Sequence, residues 1–211
     1  MFRAALYQTT HQIDSGHSLG VFDTEYVFER PESVSTNGKL YWDVTDTTVT
    51  EEELLQQMDF PLVSIALAYD SFYPLDQAKL QPLFELFPLL PLRNKATERR
   101  DARDPATWQA TGPGEVLFRG GTATKSGQQG KGFMKKLSLY VMREAADEGF
   151  RAIQIANWHD GVSAVWENPP EPFTAEVVVR YKCSEDEDEE LRRAFQGSEQ
   201  VLTKIFVRLR E

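Results

Sequence analysis

The chain has 211 residues, 33 acidic and 23 basic, for a net charge of −10 and a pI of about 4.9. A field of that sign repels polyanions, which argues against nucleic acid as the main partner; it draws in cationic partners such as amines, polyamines or basic peptides, and it also serves solubility alone. Apolar residues reach 41%, enough for a real core. There is no run of ~18 apolar residues to span a membrane, and Met1–Leu6 is too short for a signal-peptide apolar region, so a cytoplasmic location, with or without the nucleus, is expected.

Leu19–Pro31 and Lys39–Thr45 read as two strands, with Val21, Tyr26, Val27, Phe28, Leu40, Tyr41, Trp42 and Val44 supplying β-branched and aromatic residues. Asn37-Gly38 between them is a turn signal. Thr50 with Glu53 reads as a capping box opening a short helix that ends before Pro61. Leu62–Tyr69 is a buried-strand candidate. Asp76–Leu90 is apolar and partly helical, interrupted by Pro82 and Pro88. Arg93–Pro113 is charged and poor in large apolar residues apart from Trp108, and reads as a mobile surface loop. From Glu115 the pattern sharpens. Val116–Thr124 is a strand. Phe133–Glu148 is an amphipathic helix with Leu137, Tyr140, Val141 and Ala145 on one face, and Gly149 ends it. Ala152–Ala156 is a second strand, so the two should lie parallel as a strand–helix–strand unit. A short helix at Val162–Glu167, a stiff Pro169–Pro172 break and a strand at Thr174–Lys182 follow. The acidic run Glu185–Glu190, a short helix around Glu190–Phe195 and a strand at Val201–Leu209 close the chain.

Gln129-Gly130-Lys131-Gly132-Phe133-Met134 joins the first of these parallel strands to the helix. Glycines there let the backbone approach a ligand closely. The first helical amides have no partner inside the helix, and with the helix dipole they form a seat for a diphosphate. A nucleotide-bearing cofactor is therefore expected. A P-loop is not, because no Gly-Lys-Ser/Thr sequence opens the helix. Cys183 is the single cysteine, which excludes an intrachain disulfide and fits a reducing compartment. It lacks the basic surroundings of a nucleophile. His11, His17 and His159 do not have metal-ligand spacing, and no metal site is expected.

The order strand, glycine turn, helix, Gly149, strand, Asn157, short helix resembles the GNAT superfamily of acyl-CoA N-acyltransferases over roughly residues 115–175. The family's turn reads Gln or Arg, two residues, Gly, one residue, then Gly or Ala. Gln129 and Gly132 fill the first two positions, and Met134 departs from the third. The resemblance implies a single domain: a mixed, mostly antiparallel central sheet flanked by helices, with a splayed parallel strand pair around the acyl-CoA site. The first 114 residues would be a divergent half. It also implies that amides from Gln129, Gly130, Lys131, Gly132, Phe133 and Met134 hold the coenzyme A diphosphate. Lys131 would add charge there or simply be solvated, and Lys125 and Lys135 are weaker candidates for the adenosine end. The strand at Thr122, Ala123 and Thr124 would pair with pantetheine, and Asn157 would orient it.

Direct transfer needs a route for the amine's proton and support for the departing thiolate. The family's Glu on the first strand is matched nearest by Glu115, with His159 or Asp160 as substitutes. The family's Tyr in the short helix falls at Trp166, which cannot supply a proton of the right acidity; Ser163 is a substitute. Two readings follow. One is an acetyl-CoA-dependent N-acetyltransferase acting by direct attack of a primary amine, small or peptidic, with a cationic acceptor mildly favoured by the acidic balance. The other is a non-catalytic GNAT-like acyl-CoA-binding or protein-interaction module. Monomer and homodimer are both allowed.

Overall fold

A computed structural model describes residues 2–41, 43 and 45–210. Trp42 and Val44, both in the second expected strand, lie outside the described residues. The elements run α1 (Phe2–Asp14), β1 (Leu19–Phe22), α2 (Pro31–Thr36), α3 (Glu51–Gln57), β2 (Leu62–Asp70), α4 (Gln77–Leu86), α5 (Leu89–Arg100), α6 (Pro105–Trp108) and β3 (Val116–Thr124). They continue with α7 (Phe133–Glu148), β4 (Ala152–Asn157), α8 (Asp160–Glu167), β5 (Thr174–Lys182), a 3-10 turn (Cys183–Glu185), α9 (Glu189–Ala194) and β6 (Val201–Arg208).

The strands form one sheet in the order β1-β2-β3-β4-β6-β5. Every neighbouring pair is antiparallel except β3–β4, which is parallel. A parallel pair needs a long crossover, and α7 supplies it. The architecture is the mixed, mostly antiparallel sheet with one parallel pair that the resemblance over residues 115–175 implied.

Helix α7 buries Leu137, Ser138, Val141, Met142 and Ala145. They pack with Leu117, Ile153, Ile205 and Val207 of the sheet and Trp166 of α8, each large side chain contributing roughly 1.5–3 kcal/mol. Tyr140, expected on this face, is 53% exposed. The buried stripe advances through 137, 141 and 145 and widens toward 138 and 142, which leaves 140 on the rim. The opposite sheet face packs Val116, Ala152 and Phe206 against Trp108.

The first half departs further from expectation. β1 stops at Phe22 because Asp59 takes the chain away from the sheet: its carboxylate accepts from the Tyr26 hydroxyl at 2.6 Å and from the amides of Glu29 and Arg30 at 3.0 Å. Asn37 has φ +53 and ends α2 as its C-cap, so Asn37-Gly38 is a helix stop. The Thr50–Glu53 capping box forms as expected. The segment 93–113 is not a loop. It carries the second half of α5 and all of α6, and buried charge ties it to the sheet. Lys204 Nζ lies 2.6 Å from Asp101 Oδ2, and Arg103 Nη2 lies 2.7 Å from the same oxygen and 3.1 Å from Gln154 Oε1. Burial alone would raise the Asp101 carboxyl. The hydrogen bonds from Arg103 and Lys204, with the Lys204 charge, outweigh it and hold that carboxyl well below the usual carboxylate range.

Candidate active site

Parallel pairing of β3 with β4 runs from Val116↔Ala152 to Arg119↔Ile155 and no further. Beyond it β3 continues to Thr124 against β2 alone, while β4 continues to Asn157 against β6. The strands part because β3 carries a bulge: Ala68 of β2 faces Arg119 and Leu67 faces Gly121, leaving Gly120 as the extra residue. Glycine is required there. A Cβ on Gly120 would stand 1.6 Å from Oε1 of Gln12, which α1 presses into the bulge.

The gap opens into a cleft of about 820 Å³. Gly120, Gly121 and Thr122 line one side, Ala156 and Asn157 the other, and α4, α5 and the C-cap of α9 contribute Leu86, Arg93 and Phe195. The β3 edge past Arg119 lacks a strand partner on this side, so its backbone groups are open to an extended ligand.

Arg119, only 5% exposed, sits at the point of divergence. Nη1 donates to the Leu67 carbonyl and, at 3.2 Å, to that of Gly121; Nη2 donates to Thr122 Oγ1 at 2.7 Å. Nε has no partner, and no carboxylate pairs with the guanidinium among the described residues. Burial pushes its pKa down to about 10. The guanidinium also lies 5.7 Å from the Trp166 ring centre.

The turn into α8 is built around Asn157. Its Oδ1 accepts from the His159 amide at 3.2 Å and from Ser163 Oγ at 2.9 Å, while Nδ2 is buried without a partner. His159 caps α8 by accepting the Gly161 amide on Nδ1 at 3.1 Å, and its ring lines the cleft. That bond leaves the proton of the neutral imidazole on Nε2.

At the far end of β3, Gly127, Gly130 and Gly132 have φ of +77, +76 and +78. A Cβ on any of them would meet nothing within 4 Å. Gly132 caps α7 without a side-chain acceptor. Among the described residues no protein group accepts from the amides of Gly132, Phe133, Met134 or Lys135. Unpartnered amides beside open glycines, following a free strand edge, fit a coenzyme A diphosphate. Lys131 Nζ donates to Gln128 Oε1 at 2.7 Å, at the exposed side of the turn with Gln129 and Gly130. Met134 is half-buried and its sulfur accepts from Ser138 Oγ at 3.6 Å, so it turns along its own helix.

The structure thus gathers Thr122, Asn157 and His159 at the cleft and strings Ala123, Thr124 and residues 129–134 along the path leading from it. Three expected site residues are not at the cleft. Glu115 precedes β3 at its opposite end and accepts from the Thr111 amide and hydroxyl, both at 2.9 Å; these bonds lower its pKa. Ser163 is buried with its proton committed to Asn157. Trp166 is fully buried in the core under α7. Arg119, Arg93, Trp158 and Phe195 were not expected. A visible signal for the first was a lone arginine between the apolar run Val116–Leu117–Phe118 and Gly120-Gly121.

No family model and no curated protein matches the chain. Among solved structures it is similar to the C-terminal condensation domain of Ebony in complex with β-alanyl-dopamine, at 14% identity and TM-score 0.45 over 69% of this chain. The chain spans 65% of that domain's length. It is also similar to arylalkylamine N-acetyltransferase 2 from Aedes aegypti, at 15% identity and TM-score 0.45 over 72% of this chain and 70% of the other. A mosquito arylalkylamine N-acetyltransferase-like 5b protein gives 12% identity and TM-score 0.43 over 97% and 95% of the two chains. Likeness of this degree does not by itself fix a family or an activity.

Proposed function

We propose that the protein is an acetyl-CoA-dependent N-acetyltransferase that acts on a primary amine by direct attack. The carrying observation is continuous geometry: β3 and β4 part at a cleft, and the free β3 edge leads to bared amides at the start of α7. Acyl-CoA, when bound, supplies a thioester carbonyl and a thiol leaving group. The amides of residues 132–135 would hold its diphosphate, and Gly121–Thr124 would pair with its pantetheine arm. Arg119 places a buried cation at the head of that edge, where negative charge on oxygen or sulfur is stabilised without reorganisation. A thiol is far more acidic than an alcohol, with cysteine at about 8.5, so a cation there helps sulfur leave as the thiolate without a tyrosine donor. Asn157 Nδ2 and His159 Nε2 add neutral donors. Among the described residues no carboxylate lines the cleft, which leaves solvent water to take the amine's proton.

A second reading, binding without turnover, is favoured by the burial of Trp166 where a phenol would be expected and by the distance of Glu115 from the cleft. Melting with and without coenzyme A, followed by thiol release across an amine panel, separates the two. At ~100 times the dissociation constant the ligand should add ~2.7 kcal/mol, which is about 5–11 °C for a domain of this size. No shift with either coenzyme A or acetyl-CoA would reject both readings. A shift with no thiol release favours the second.

A further inference from the structure

We infer that the acceptor amine carries a carboxylate and an apolar body, as in an apolar α-amino acid, and that Arg93 seats the carboxylate; this rests on the acyl-transfer reading for its chemistry. Every charged or titratable side chain lining the cleft is basic: Arg93, Arg119 and His159. In a chain of net charge −10 this is a local inversion. Arg119 stands at the divergence of the strands, on the coenzyme path. Arg93 comes from α5, the helix layer that faces the cleft away from α7. Among the described residues it has no carboxylate partner. Its Nε and Nη2 turn to Asn94 Oδ1, while Nη1 donates to no protein group among the described residues and keeps some exposure. Desolvation lowers its pKa.

Withdrawing a guanidinium from water without an opposing charge is costly, and a ligand anion offsets that cost. The cation is also held in place. Its guanidinium carbon lies 4.9 Å from the Trp158 ring centre, and Trp158 stacks on Phe195 at 5.5 Å and 28°. With Leu86, Leu89 and Val162 these rings give an apolar body a wall beside the charge. An amine lacking the anion would leave the half-buried Arg93 without an ionic partner, so the site discriminates by the carboxylate.

The test is a matched pair, L-phenylalanine and phenethylamine, which differ only in the carboxylate, assayed by thiol release from acetyl-CoA. The amino acid should be favoured by about 10–100-fold in kcat/KM, the worth of a hydrogen bond to a charged group, mostly through KM. Arg93→Gln should erase the preference and Arg93→Lys should restore part of it, with both variants checked for native melting. Equal or better use of phenethylamine by the parent, or a preference that survives Arg93→Gln, overturns the inference. A second arm needs no coenzyme: 3-phenylpropanoate should bind the protein alone, and Arg93→Gln should weaken it by about 10-fold or more. Failure of 3-phenylpropanoate to bind, or equal binding by the variant, also overturns the carboxylate seat. Binding through Arg93 in a protein that ignores coenzyme A would reject acyl transfer and retain the seat.

Discussion

Replacing Gly132 by glutamate puts a carboxylate where the coenzyme diphosphate would rest. Gly132 has φ +78, and a Cβ there meets nothing within 4 Å, so the folded protein has no clash to relieve. A side chain in this left-handed conformation costs roughly 1–2 kcal/mol. A negative charge at the α7 N-terminus returns about 0.3–1 kcal/mol through the helix dipole. The net loss is then at most about 2 kcal/mol, or up to about 8 °C in melting temperature. Binding should suffer far more. Like charges about 4 Å apart repel by ~4 kcal/mol at an effective dielectric of ~20, and solvent screening at this exposed turn reduces that. A rise in Kd of about 10–100-fold remains. Gly132→Asn separates the causes, because Asn tolerates the left-handed region and brings no charge; it should bind coenzyme A better than the glutamate variant. Titration calorimetry with coenzyme A and thermal melts measure both effects. A glutamate variant that folds and binds coenzyme A like the parent would show that the diphosphate does not sit at this turn.

Other outcomes follow from the same geometry. Arg119→Met keeps the length of the stem and removes the cation; thiol release should slow by about 10²–10³-fold, and stability should fall by about 1–3 kcal/mol, because the Leu67 and Gly121 carbonyls and the Thr122 hydroxyl lose their donor. A rate within about tenfold of the parent would remove Arg119 from the chemistry. Glu115→Gln should leave kcat/KM within about twofold, since its carboxylate serves Thr111 away from the cleft, and a large loss would return it to the role of base. Asp101→Asn strands the buried Lys204 and should cost about 3–5 kcal/mol in urea or thermal unfolding, with Lys204→Met in the same chain recovering most of it. The folded-state pKa of Asp101 is depressed, so its stabilisation is complete above the unfolded carboxyl value near 4 and fades as pH falls below it. The melting difference between parent and Asp101→Asn should therefore shrink below about pH 4.

The second half of the chain was legible because its signals are local. Val116–Thr124, Phe133–Glu148 and Thr174–Lys182 are bounded in the structure as their patterns indicate, and Gly149 adopts φ +106 as a helix stop. The path from Thr122 through Met134 was legible for the same reason, since a glycine turn and its flanking elements are contiguous. What escaped depends on contacts across the sequence. Polarity made 93–113 look like a loop, yet its charges are satisfied by Lys204 and Gln154, on strands more than fifty residues away. Asn37-Gly38 has the composition of a hairpin turn, but the second strand it would need does not form among the described residues. Ser163 and Trp166 sit close to the cleft in sequence, and the phase of α8 turns both inward.

Net charge and the local charge at the cleft differ in sign. The acidic balance mildly favoured a cationic acceptor, and the run Glu185–Glu190 is its densest stretch of acid. That run is not a uniform negative surface. Asp186 is buried 3.0 Å from both Arg99 and Arg100, and Asp188 spends its carboxylate on the amides of Glu190 and Leu191 at the start of α9. Acids exposed elsewhere are screened within about 10 Å at ordinary salt. The Arg119 guanidinium is buried and that of Arg93 half-buried, and neither faces a carboxylate among the described residues, so they act at short range and at a lower effective dielectric, where an interaction is worth more than at the surface. Which charge a ligand meets is therefore set by the few groups desolvated around it. In this protein the sign at the cleft is opposite to the sign of the whole.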